Sequence, residues 1–176
     1  AELGESGNTV FDFTYESYRI TGADAETSDP LPAARKNHSE TLVICLRDRV
    51  TDISLELSYT VYDDSDVIVR KSRVINHSGE TLILRSLSSL QLDMPDSGFE
   101  ALTFDGAWIR ERNLHRTGLK AGTFSIQSIA GVSSAEHNPL FILRSGNECY
   151  LFNLLWSGDH RELAELSPYG TLRVLT

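Results

Sequence analysis

The stretch that most constrains the fold is "ISLELSYTV", in which Ile53, Leu55, Leu57, Tyr59 and Val61 alternate with Ser54, Glu56, Ser58 and Thr60. A period of two sends successive side chains to opposite faces of a strand, one apolar and one wet. No helix can bury a stripe with that spacing. Phe11, Phe13 and Tyr15 alternate with Asp12, Thr14 and Glu16 in the same way. Further strand-like runs are "TLVICLRD", "DVIVRKSRVIN", "TLILRSLSSLQLD", "TFSIQSI", "PLFILR", "CYLFNLLW" and "GTLRVLT", separated by turn signals such as "YDDSD", "NHSGE", "MPDSG", "RSGNE" and "SPYG". "YTVYDDSDVIVR" reads as a hairpin and "RVINHSGETLIL" as a second, making a four-stranded meander with the run ahead of them. No stretch carries a helical stripe of useful length. Turns spaced about 8–12 residues apart predict an all-β sandwich rather than βαβ units. Roughly ten or more strands are expected, in large antiparallel sheets of a single domain spanning 1–176. Residues 21–40, with two prolines and little apolar content, read as a long connection.

Composition narrows the class of function. With 40% hydrophobic and 23% charged residues in 176, the chain suits a globular domain with a substantial core. A formal charge of −9 argues against nucleic acid, which needs clustered lysine and arginine. No apolar run approaches the ~20 residues of a membrane-spanning helix, so no membrane partner is expected. The opening "AELGESGNTV" has neither the basic nor the apolar part of a signal peptide, and the expected location is cytoplasmic. Cys45 and Cys149 lie in strand-like apolar runs and are expected to be buried free thiols. Five scattered histidines, at 38, 77, 115, 137 and 160, give no ligand spacing, and neither metal nor cofactor is expected. The "NHS" tripeptides at Asn37 and Asn76 read as polar turns, and Asp63, Asp64 and Asp66 as a solvated hairpin tip lacking the ligands of a calcium loop.

The densest chemistry lies in "GAWIRERNLHR". Read as a strand, Trp108, Arg110 and Arg112 share one face and Ile109 and Glu111 the other. Arginines beside a tryptophan suit a sugar platform. They also suit a domain edge, with Trp108 in the core and the guanidinium forks meeting acidic neighbours, and this second reading is preferred. The expected interface residues are Trp108, Arg110, Glu111, Arg112 and Arg116. His137 and Asn138 are expected to cap and turn the chain before Pro139, with loop contacts as the minority reading. No nucleophile elbow, zinc motif, phosphate loop or dinucleotide fingerprint is present in the sequence, so no catalytic residue is assigned.

In this order, "ETLVICLRD", "LELSYTVYDDSDVIVR", "LSSLQLDMP", "GAWIRERNLHRTGLKAGTFSIQSIAGVSSAEHNP" and "LLWSGDHRELAEL" carry a likeness. From about Phe11 to Val174 the chain resembles the N-terminal domain of the glycoside hydrolase family 36 α-galactosidases, the melibiases. "GAWIRER" followed by the serine pair and "HNP" is the most specific part. Departures are Lys71 after Arg70, where the family usually has serine, and Ala135 and Glu136 in place of histidine and glutamine after the serine pair. The resemblance implies a β-supersandwich of the galactose mutarotase type, standing ahead of a (β/α)₈ barrel. The barrel would carry two catalytic aspartates that remove terminal α-galactose from melibiose and raffinose with retention, which needs carboxylates about 5 Å apart. With no strand–helix repeat here, that pair is expected to be absent and the chain alone inactive. The family's contribution to the active-site rim lies upstream of the segment matching "SGNTVFDFTYESYRI" and is also expected to be missing. Implied partners are the barrel of the same parent chain, the α-galactoside bound by the parent, and further copies in a homo-oligomer.

Two other readings stay open. One is a carbohydrate-binding β-sandwich module. The other is a mutarotase-like epimerase using His115 or His137 with Glu111 or Glu136. For the accessory reading, the isolated chain should bind galactose and melibiose weakly at best and tend to pair through one face.

Overall fold

The structure, a computed structural model, describes residues 2–3, 10–22, 38–84, 87–133 and 136–176. Among them the chain is built from strands, joined in antiparallel sheets, with no helix. They gather into two compact units, residues 1–89 and 90–176.

The first unit holds β1 (Glu2–Leu3), β2 (Thr14–Thr21), β3 (Ser39–Asp48), β4 (Ile53–Tyr62), β5 (Ile68–Asn76) and β6 (Leu82–Ile83). Its main sheet runs β2-β3-β4-β5. Register shows why the alternation matters: Leu42↔Tyr59, Ile44↔Leu57 and Leu46↔Leu55 put the apolar residues of β3 and β4 on one face. Tyr18↔Ile44 and Leu55↔Val74 extend that face to the outer strands. The opposite face carries Arg19, Glu56 and Arg73, where Arg19 Nη2 meets Glu56 Oε1 at 3.0 Å and Arg73 Nη1 lies 3.8 Å from Oε2. The β3–β4 turn is held by Asp48, whose carboxylate accepts from the backbone N–H of Val50 (2.9 Å), Thr51 (3.2 Å) and Asp12 (3.1 Å). Burial pushes the Asp48 carboxyl up, but those backbone donors outweigh it and hold it below its ordinary value.

The hairpin expected over "YTVYDDSDVIVR" forms, with Val61↔Ile68 closing it and Asp63, Asp64 and Asp66 exposed at its tip. The second expected hairpin does not form. β6 pairs with β1 through Leu3↔Leu82 instead of returning along β5, and the fourth strand of the meander is β2. The reason is local. Asn76 Oδ1 accepts from Ser78 N (3.1 Å) and Ser78 Oγ (2.7 Å), while its Nδ2 donates to Glu80 O (2.7 Å). These bonds close a turn of the Asx kind and lead the chain away from the sheet. Asn76 is therefore a polar turn, as expected; Asn37 and most of the 21–40 connection lie outside the described residues.

The second unit holds β7 (Gln91–Pro95), β8 (Glu100–Ala107), β9 (Arg110–Gly118), β10 (Gly122–Ser128), β11 (His137–Ser145), β12 (Glu148–Asn153), β13 (His160–Leu166) and β14 (Thr171–Leu175). They form two four-stranded sheets, β10-β13-β14-β7 and β12-β11-β8-β9. Inward positions of both sheets, with Phe99 just ahead of β8, build one core: Phe99, Ala101, Ile126, Phe141, Leu143, Ala164, Leu166, Leu172 and Val174. Phe141 stacks on Phe152 with ring centroids 5.0 Å apart. Each large apolar side chain buried there contributes about 1.5–3 kcal/mol, which makes this core the unit's main source of stability. At the edge of the first sheet, Arg173 grips Asp93 across β14 and β7 by two bonds, 2.7 and 2.8 Å.

Both cysteines are free thiols. Cys45 is half-buried and Cys149 exposed, which corrects the expectation that both are buried. Cys149 is the second residue of β12, an edge strand, so alternation alone does not enclose it.

Candidate functional site

The residues singled out in "GAWIRERNLHR" form the end of the β8–β9 hairpin. Ala107 pairs with Arg110, leaving Trp108 and Ile109 as a two-residue turn at the tip. Trp108 is 88% exposed. The expectation of a core tryptophan is therefore wrong, and the cause is a turn lying inside a run that reads as one strand. Turns of this length normally use Asn, Asp or Gly, which accept positive φ. Here Ile109 has φ 71° and Arg112 has φ 61°. Between Asp105↔Asn113 and Ala107↔Arg110 the register shifts, so β9 carries an extra residue. Asn113 Nδ2 donates to Arg110 O across that bulge at 2.8 Å. Simple alternation from Arg110 to Arg112 is lost, while Arg110, Arg112 and Arg116 are all exposed. The side chain of Glu111, the fifth expected interface residue, lies outside the described residues.

His137 and Asn138 do not cap a turn. They are the first two residues of β11 and tie it to β8. His137 pairs with Asp105, Asn138 Nδ2 donates to Phe104 O at 3.3 Å, and Gly106 N donates to Glu136 O at 3.4 Å. His115 lies with Nε2 2.6 Å from Asp105 Oδ1 in a cross-strand pair. His115 is thus matched with an aspartate on the neighbouring strand.

A second constellation escapes the sequence reading. On β13 the inward positions begin with His160 and Glu162, side chains 0% and 1% exposed. His160 Nδ1 lies 2.9 Å from Glu162 Oε2, and Nε2 lies 2.7 Å from Ser133 O and 3.2 Å from His137 O. Carbonyl oxygens only accept, so Nε2 carries a hydrogen and donates to them. Burial pushes the Glu162 carboxyl above its ordinary value, and the His160 imidazole pulls it partly back. A pair this enclosed cannot meet a substrate. What it does is fasten the chain around Ser133 and His137 to the sandwich. The signal was the "HRE" spacing in "GDHRELAEL", where two polar residues take the face that Ala164 and Leu166 continue.

Among the described residues no group of three or more His, Cys, Asp or Glu side chains could hold a metal ion. An open hollow at the β4–β5 tip is lined by Tyr62, Asp64, Ser65 and Val67, a single carboxylate among them, where hydrolysis needs an acid and a base.

The glycosyl hydrolase family 36 N-terminal domain matches residues 2–176. The α-galactosidase Mel36A of Lactobacillus acidophilus is 32% identical over 98% of the chain, and the α-galactosidase AgaA of Geobacillus stearothermophilus 34% identical over 97%. The chain spans only 24% of the length of each. The crystal structure of AgaA superposes with a TM-score of 0.91 at 33% identity, covering 99% of the chain and 25% of that protein. A variant of AgaA has been solved in complex with raffinose.

Proposed function

Since the chain belongs to the glycosyl hydrolase family 36 N-terminal domains, we propose that it is the non-catalytic N-terminal domain of an α-galactosidase that removes terminal α-galactose with retention. The observation that carries this reading is the match over residues 2–176 to a quarter of proteins that are themselves α-galactosidases. Retaining hydrolysis needs two carboxylates about 5 Å apart, each open to the glycosidic bond. Among the described residues the deeply enclosed acid with a close histidine is Glu162, which is sealed from substrate and fits a structural role. The acid–base pair therefore belongs to the remaining three quarters of such an enzyme, expected as a (β/α)₈ barrel whose strand ends carry it. The domain's part is to brace that barrel and to supply contacts between subunits of a cytoplasmic oligomer. Trp108, Arg110, Glu111, Arg112 and Arg116 are its interface, and α-galactosides of the melibiose and raffinose type are the substrates of the whole enzyme.

A carbohydrate-binding module is the rival reading, favoured by the exposure of Trp108. Calorimetric titration of melibiose and raffinose into the chain separates the two. The accessory role predicts heats no larger than dilution at millimolar sugar. Micromolar binding would place the chain among sugar-binding modules instead.

A further inference from the structure

The tip of the β8–β9 hairpin is unfavourable in water for two independent reasons. Trp108 and Ile109 are 88% and 80% exposed, side by side at the point where the sheet ends. Ile109 is β-branched and sits at φ 71°, a conformation that such residues adopt only where something outside local preference demands it. Neither residue belongs to the hydrophobic core of this unit. Beside the tip stand Arg110, Arg112 and Arg116, all exposed and, among the described residues, without a carboxylate partner. They gather on one strand of a chain whose net charge is −9.

The occupant can be chosen from this chemistry. β9 is an edge strand, and arginines along an edge discourage pairing with another copy of the same edge. A sugar platform needs its ring backed by neighbours and flanked by groups that fix the sugar hydroxyls. At 88% exposure Trp108 has little backing. A large aromatic anchor ringed by arginines is the composition of a protein-docking hot spot. We propose that Trp108 and Ile109 form a wedge that seats in an apolar socket with an acidic rim, on the remainder of the α-galactosidase polypeptide. This rests on the reading of the chain as that enzyme's N-terminal domain. The strained turn holds the two apolar side chains outward together, and the arginines orient the wedge by pairing with the socket's carboxylates.

Hydroxyl-radical footprinting with mass spectrometry tests the proposal, comparing the 176-residue chain with the full-length product of its gene at matched radical dose. Trp108 should oxidise rapidly in the chain alone and at least about tenfold more slowly in the full-length enzyme. Equal oxidation in a full-length product with α-galactosidase activity overturns the wedge while leaving the domain reading intact. Protection in the chain alone that grows with its concentration assigns the tip to a second copy, and protection by raffinose assigns it to sugar; either result overturns the proposal. A full-length product without α-galactosidase activity overturns the domain reading and the socket with it. As a second readout, Trp108→Ala should leave the thermal midpoint of the chain alone unchanged but lower that of the full-length enzyme. An equal drop in both would make the tip part of the domain's own fold.

Discussion

Replacing His160 by leucine should cost far more than replacing Glu162, although the two side chains form one buried pair. His160 Nδ1 lies 2.9 Å from Glu162 Oε2, and its Nε2 donates to Ser133 O at 2.7 Å and to His137 O at 3.2 Å. His160→Leu leaves a carboxyl that is only 1% exposed without its partner, and two carbonyls without their donor. Breaking a buried pair from one side costs about 3–5 kcal/mol, and each abandoned buried acceptor about 1–3 kcal/mol before relaxation. Water reaching the carbonyls would recover part of that, so about 4 kcal/mol is expected, a large share of the 5–15 kcal/mol that holds a typical domain. Glu162→Leu leaves the His160 Nε2 still donating to both carbonyls, and about 1–2 kcal/mol is expected. Equilibrium urea unfolding followed by far-UV circular dichroism, extrapolated linearly to water, reads both variants. Equal losses for the two, or a His160→Leu midpoint within error of the parent's, would refute the view that the histidine pins Ser133 and His137. The pH dependence carries a sign as well. Burial raises the folded Glu162 carboxyl above 4.5, so its contribution favours the folded state below that value and is lost as pH rises through the folded pKa. Without His160 to pull the carboxyl back, His160→Leu should lose more stability than the parent does as pH rises above 4.5.

Ile109→Gly should raise the stability of the chain by about 1 kcal/mol, since glycine takes φ 71° without the clash that a β-branched residue suffers; a lower thermal midpoint would show that the turn is not strained. Asp48 has a depressed carboxyl pKa, so its share of stability is present above 3.8 and lost as pH falls through the folded value. Asp48→Asn should therefore be less stable than the parent at pH 7 and converge with it in acid, and a gap that persists unchanged at pH 2 would contradict this. Cys149 should react with a thiol reagent in the native chain well before Cys45, as peptide mapping after partial labelling will show; the reverse order would contradict the exposure of β12.

How far the sequence reveals the fold depends on where polar and apolar residues are sorted cleanly. β4 is legible because its two faces differ in every residue from Ile53 to Thr60, and its register with β3 follows. The β8–β9 turn is illegible because Trp108 and Ile109 are not turn-forming residues, and Gly106 just ahead of them gives the only hint. β6 misleads for another reason: a strand of two residues has no period, and its partner β1 lies far off in sequence. His160 and Glu162 stay hidden because alternation identifies a core face by apolar residues, and here the buried positions are polar. Candidate interface residues share one hairpin as the sequence suggests, but with the tryptophan facing water rather than the core.

The central claim is that catalysis lies outside this chain, in an enzyme to which the chain belongs as a domain. Hydrolysis of a chromogenic α-galactoside, measured side by side for the 176-residue chain and the full-length product of its gene, tests it most directly. The account predicts a rate at the buffer blank for the chain and steady turnover by the full-length product, with the α-anomer released first. Turnover by the chain that copurifies and scales with its concentration, or a full-length product inert toward α-galactosides, would contradict it.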